Sequence, residues 1–212
     1  MRDDDATISV APQRYRACSH SVEPDASTAS YFLGGAAVSA TTVELPGLDL
    51  DATRQGDIRL AYLLERMGCR VVKRAPLTLR GTPDLRGIEA NMGDCSDVFM
   101  TLACVAPFAN SPTTIRGIEH VRRKETDRIE AVSTNLARLG VSTEVGTDFL
   151  RVHPATPQSA RLPTFRDHRI AMAFSVIGLK VPVEIEEPEV VAKTCPSFFE
   201  LWRRSGARVH VG

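Results

Sequence analysis

Residues 119–132, EHVRRKETDRIEAV, place eight charged side chains among the first twelve positions, with both signs packed around Thr126. A cluster like this, where a loop runs into a helix, suits binding and proton transfer. Lys124 and Arg128 offer cations, and a guanidinium can grip a carboxylate or phosphate through two parallel hydrogen bonds. Glu125 and Asp127 offer carboxylates. Asp97, the run Asp167-His168-Arg169, and Lys193 carry the same kinds of groups elsewhere in the chain. Together they read as a site for a substrate bearing carboxylate and phosphate, with acid and base groups at hand. Each residue also has a structural reading. Asp97, Asp127 and Asp167 could cap helices, and Glu125 could be a first-turn carboxylate favoured by the helix dipole. Lys124 and Lys193 could be solvated lysines, Arg128 and Arg169 could pair with Asp127 and Asp167, and His168 could be a core histidine.

The elements that must position these groups come from a repeat. Three apolar stretches begin just after an Asp: DASTASYFLGGAAVSATTVEL, DVFMTLACVAPFANSPTTIRG and DHRIAMAFSVIGLKVPVEIEE. Asp25, Asp97 and Asp167 lie 72 and 70 residues apart. Each stretch predicts an N-capped, mostly buried helix followed by a β-branched strand. A second half follows each time, in LLERMGCRVV, NLARLGVSTE and LWRRSGARVH. These are amphipathic helix ends stopped at Gly68, Gly140 and Gly206, with a short strand after each. Further strands are predicted at Leu77–Arg80 and Phe149–Val152, with a hairpin turn around Gly146. The fold class is therefore α/β (α+β), with a unit of helix, strand, loop, helix, strand, strand repeated three times and the more apolar helices inside. The candidate site residues share one phase of this repeat, at or near helix starts. Converging helix starts present unpaired N–H groups to an anion.

Composition sets the remaining bounds. Hydrophobic residues make up 43% and charged residues 25%, ordinary for a soluble globular protein. With 26 basic and 26 acidic residues the formal net charge is zero, so nothing in the total points to nucleic acid or an anionic membrane. The five cysteines, Cys18, Cys69, Cys95, Cys104 and Cys195, contain no C-x-x-C pair and fit no zinc pattern. A reduced, cytoplasmic protein without metal is the expectation. The start, Met1-Arg2-Asp3-Asp4-Asp5, does not read as a signal peptide. The most apolar stretches, near 99–109 and 170–179, are too short to span a bilayer.

Five segments in this order, PDASTASYF, QGDIRLAYLLERMG, RKETDR, DHRIAMAF and VVAKTCPSFF, resemble the 5-enolpyruvylshikimate-3-phosphate synthase family. The similarity runs from about residue 22 to 205, and KETDR with DHR-x-A-M is its specific part. The resemblance implies one lobe of the enolpyruvyl transferase fold, a pseudo-threefold repeat of βαβαββ units, and no cofactor. It implies transfer of the enolpyruvyl group of phosphoenolpyruvate to the 5-hydroxyl of shikimate 3-phosphate, in the shikimate pathway of aromatic amino acid biosynthesis. By motif it makes Asp97 the candidate base, Glu125 the proton donor to the methylene, and Lys124 a residue near both substrates. Arg128, His168, Arg169 and Lys193 match the phosphoenolpyruvate site. Asp97, His120 and Lys124 match the shikimate 3-phosphate site, with His120 standing where many relatives carry Asn. The segments match the family's C-terminal domain. On this reading residues 1–21 are an entering strand or crossover, and 22–212 form one domain of three repeats. The partner is the family's N-terminal domain, without which the chain is expected to be inactive. Two alternatives stay open at this point: a non-catalytic anion-binding remnant, and one partner of a split enzyme.

Overall fold

The computed structural model describes residues 11–210, and the repeat appears in it as three successive units. The first runs α1 (Ala26–Ser39), β1 (Thr42–Leu45), α2 (Arg59–Arg66), β2 (Arg70–Val72) and β3 (Leu77–Arg80). The second runs β4 (Glu89–Asn91), α3 (Phe99–Val105), β5 (Thr113–Arg116), α4 (Arg128–Arg138), β6 (Thr143–Val145) and β7 (Leu150–Val152). The third runs β8 (Ala160–Leu162), α5 (His168–Phe174), β9 (Val183–Ile185) and α6 (Phe198–Arg204). Short 3-10 turns, Gly56–Ile58, Glu119–Arg123 and Pro188–Lys193, precede α2, α4 and α6 in turn.

The sheets show the same register of parts. The second unit has a four-stranded sheet ordered β4-β5-β7-β6, parallel between β4 and β5 and antiparallel elsewhere. The first unit's sheet, β1-β3-β2, repeats the last three of those places, and the third unit's parallel pair, β8-β9, repeats the first two. Gly68, Gly140 and Gly206 each adopt positive φ after α2, α4 and α6, the conformation that ends a helix.

One strand expectation fails. Residues 207–210 form no strand. In the other units the corresponding strand, β2 or β6, is held by the strand that follows it, and the third unit has no such follower among the described residues. Residues 11–21 take no strand and are exposed, which leaves the crossover alternative for residues 1–21 open, and residues 1–10 lie outside the described residues.

The apolar helices pack together at the centre. All seven residues of α3 are buried, as are six of the seven in α5 and ten of the fourteen in α1. A helix buried on all sides shows no polar face, which is why these three read as continuous apolar runs. Burying a side chain such as Phe99 or Leu102 completely stabilises by roughly 1.5–3 kcal/mol. Gly34 lets α1 approach α3 closely: a Cβ there would lie 2.8 Å from Thr101 Cγ2. Beside it the Ser30 and Thr101 hydroxyls meet at 3.1 Å. The outer helices bury one face. Leu60, Ala61, Leu63 and Leu64 of α2 point inward while Arg59 and Arg66 face water. Helix α6 docks on α1 through Phe198 and Trp202, which stack at 5.4 Å beside Tyr31 and Phe32.

Candidate active site

The starts of α3, α4 and α5 and the turn before α6 meet, bringing Asp97, Lys124, Glu125, Arg128, Asp167, Arg169 and Lys193 into one ion-pair cluster. Arg128, the first residue of α4, is its centre, with a side chain only 1% exposed. Its Nε donates to Asp167 Oδ2 at 2.7 Å, its Nη1 to Asp97 Oδ1 at 2.9 Å and its Nη2 to Glu125 Oε2 at 2.7 Å. A guanidinium taken out of water needs partners at each nitrogen, and here all three have one.

Asp97 does not cap α3, contrary to the expectation for each repeat. That helix begins without a side-chain cap, and the carboxylate turns to three cations instead. It accepts from Lys124 Nζ at 3.2 Å and from Arg128, and it pairs with Arg169 Nη2 at 3.0 Å. A charge-assisted pair outweighs one backbone N–H. Burial pushes the Asp97 carboxyl up, but the combined pull of Arg169, Lys124 and Arg128 leaves it below the usual carboxylate range. Glu125 is engaged at both oxygens, by Lys193 Nζ at 2.9 Å and by Arg128. Its pKa is lowered to about 2, first by the Lys193 hydrogen bond.

The other two Asp residues do cap. Asp127 accepts from Glu130 N at 3.1 Å and pairs with Arg122 at 2.7 Å. Asp167 accepts from Arg169 N at 2.8 Å while also anchoring Arg128. The anticipated pairs, Arg128 with Asp127 and Arg169 with Asp167, are thus replaced by Arg128–Asp167 and Arg169–Asp97. His168 is buried, its Nδ1 lacks a hydrogen-bond partner, and burial lowers its pKa. It backs the cluster as a neutral ring rather than opening onto its face. His120 lies at the margin, exposed, with Nε2 2.7 Å from the Ser96 hydroxyl next to Asp97. Lys193 is the most exposed of the four cations, at 59%, against 36% for Lys124 and 15% for Arg169.

The first unit contributes what the sequence alone did not single out. A cleft of about 240 Å³ borders Arg169, lined also by Asp25, Ser27, Thr28, Tyr31 and Thr194. Gln55 fixes the start of α1 there, accepting from Ala26 N and donating to Pro24 O, both at 2.8 Å. Ser27 donates to Asp57, whose carboxyl burial pushes up. The Tyr31 hydroxyl is buried near Arg169 but out of hydrogen-bond geometry with it, and burial drives its pKa up. The available signal was position: TRQGD, with Gln55 and Asp57, occupies the same place in its repeat as RRKETD. Among the described residues, no group of His, Cys, Asp and Glu side chains is arranged to hold a metal ion, and no helix is long and apolar enough to cross a membrane.

A chain with this repeat and this cluster finds its counterpart in one family. EPSP synthase (3-phosphoshikimate 1-carboxyvinyltransferase) matches residues 2–202. The chain belongs to the EPSP synthase family. A 3-phosphoshikimate 1-carboxyvinyltransferase of Nostoc punctiforme is 49% identical over 191 residues, covering 89% of this chain and 45% of that protein. The chloroplastic enzyme of the same name from Arabidopsis thaliana is 41% identical over 203 residues, covering 91% and 39%. A solved EPSP synthase from Acinetobacter baumannii superimposes with a TM-score of 0.78 at 26% identity, covering 90% of this chain and 48% of that one. The enolpyruvyl transferase NikO from Streptomyces tendae shares the fold, with a TM-score of 0.73 at 24% identity. The fold is thus that of the EPSP synthases and enolpyruvyl transferases, and the chain spans about half the length of the relatives it matches.

Proposed function

We propose that this chain supplies one wall of an enolpyruvyl transfer site, joining phosphoenolpyruvate to the 5-hydroxyl of shikimate 3-phosphate. The observation that carries the reading is the convergence of Lys124, Arg128, Arg169 and Lys193 around just two partly exposed carboxylates, Asp97 and Glu125. Four cations against Asp97, Glu125 and Asp167 leave one net positive charge, 4 − 3, on a face built for anions. Asp97 takes the proton of the attacking hydroxyl as the new C–O bond forms at the central carbon of phosphoenolpyruvate. Glu125 delivers a proton to the methylene carbon as the double bond is consumed. Phosphate then leaves the tetrahedral adduct as the methyl group returns a proton to the Glu125 carboxylate, and the enol ether forms. Arg169 and Lys193 hold the anionic groups of phosphoenolpyruvate; Arg128, expected from the resemblance to join them, is buried with every guanidinium nitrogen taken and instead fixes Asp97 and Glu125 in place. Lys124 and His120 serve the hydroxyl-bearing substrate. His168 shapes the floor. General acid–base steps of this kind contribute about 10²–10⁴ in rate. The second wall corresponds to the length of the relatives that this chain does not match.

Steady-state kinetics of the two-lobed enzyme test the clamp. Arg169→Ala is expected to raise KM for phosphoenolpyruvate by roughly 10- to 150-fold, the worth of a charged hydrogen bond, and to change KM for shikimate 3-phosphate far less. Equal effects on both would remove Arg169 from the clamp.

A further inference from the structure

The resting cluster contains a conflict that the reaction has to resolve. Glu125 is to donate a proton, yet both its oxygens accept hydrogen bonds from cations, Lys193 on one side and Arg128 on the other. A carboxylate so held is nearly always ionised and has no proton to give. The two cations are not equivalent. Arg128 is buried and bound to two further carboxylates, Asp97 and Asp167, so it cannot leave. Lys193 reaches Glu125 from another repeat, 68 residues along the chain, is the most exposed cation of the cluster, and has Glu125 as its one ion pair among the described residues.

Resting on the reading above, we propose that Lys193 is a positioning residue with two successive partners: Glu125 in the empty site, and the anionic substrate in the occupied one. Its transfer from one to the other releases Glu125 to take up a proton from solvent. A phosphate monoester carries more charge than a carboxylate and offers three oxygens, so it competes well for a flexible ammonium. With Lys193 gone, Glu125 keeps Arg128 on one oxygen and a backbone hydrogen bond, and buried His168 lies within electrostatic reach. The largest cause of its low pKa is then removed. Arg128 and a backbone hydrogen bond still favour the carboxylate, so the rise stops short of the ordinary 4.5, and roughly 300-fold is the upper bound on the gain in protonated fraction at neutral pH. Substrate binding thereby raises the fraction of Glu125 that carries a proton, and the empty site keeps that fraction lowest.

The test uses the 212-residue chain and phosphoenolpyruvate as the probe, with no turnover needed. Calorimetric titration compares wild type, Glu125→Gln and Arg169→Ala. Removing the internal competitor frees Lys193, so Glu125→Gln is expected to bind phosphoenolpyruvate roughly two- to fivefold more tightly, the range of a partly exposed ion pair. Arg169→Ala is expected to bind more weakly. Carbon-13 NMR of the Glu125 carboxyl gives an independent reading: its titration midpoint is expected to rise from about 2 toward 4.5 when phosphoenolpyruvate saturates the chain. Weakened binding in Arg169→Ala but unchanged or weaker binding in Glu125→Gln, with a fixed Glu125 midpoint, overturns the handover and leaves the clamp standing. Binding that neither variant alters, or no binding at all, overturns the clamp and the handover with it.

Discussion

Arg128 and Asp167 form an ion pair in which neither side chain is more than 1% exposed, and the two halves come from helix starts 39 residues apart. Removing one partner strands the other charge in the core, which costs about 3–5 kcal/mol. Asp167→Ala also loses the cap on α5. At roughly 2–4 °C per kcal/mol for a chain of this size, calorimetry is expected to show Tm lowered by about 6–20 °C. Asp97→Asn is the contrasting case. Its carboxylate caps nothing and is partly exposed, so the fold is expected to survive while turnover of the two-lobed enzyme falls at least about 100-fold. A variant with near-normal turnover would show that Asp97 only holds cations. Acid gives a third check. Glu125 has a folded pKa of about 2 against an ordinary 4.5, so its stabilising contribution is present above 4.5 and is lost as pH falls toward 2. The stability gap between wild type and Glu125→Gln, measured by urea unfolding, is expected to close over that window. Residue types were legible in the sequence because their positions share a phase of the repeat. The pairing was not: Arg128 chose Asp167 over adjacent Asp127 because the choice depends on how two helix starts approach in space.

Helices α1 and α3 touch where Gly34 faces Thr101, and the contact leaves no room for a methyl group. Gly34→Ala is expected to destabilise by about 1–3 kcal/mol through overpacking, read by urea unfolding, although alanine is the better helix former. An unchanged or raised stability would mean that the two helices are free to separate. The apolar helices were legible because α3 and α5 bury nearly all of their seven residues and α1 ten of its fourteen, so no broad polar face interrupts them. Strands β4, Glu-Ala-Asn, and β8, Ala-Arg-Leu, were not, since neither holds a β-branched or aromatic residue to mark it as a strand. They exist because β5 and β9 offer a parallel ladder. The opposite error, at residues 207–210, has the same cause: alternation without a partner makes no strand.

One wall of a cleft holds charges in contact with water, where each is weak. Orienting two anionic substrates for attack is worth about 7–11 kcal/mol only when they are enclosed and aligned. The central claim is therefore that this chain carries the clamp and the proton-transfer groups but needs a second lobe for turnover. Phosphate release from phosphoenolpyruvate and shikimate 3-phosphate measures it directly. The assay compares the 212-residue chain alone with the chain fused to the part of the Nostoc punctiforme relative that it does not match. The expected result is no release by the chain alone, release by the fusion, and loss of that release in the fusion carrying Asp97→Asn. Robust release by the chain alone, or none by a folded fusion, contradicts the account.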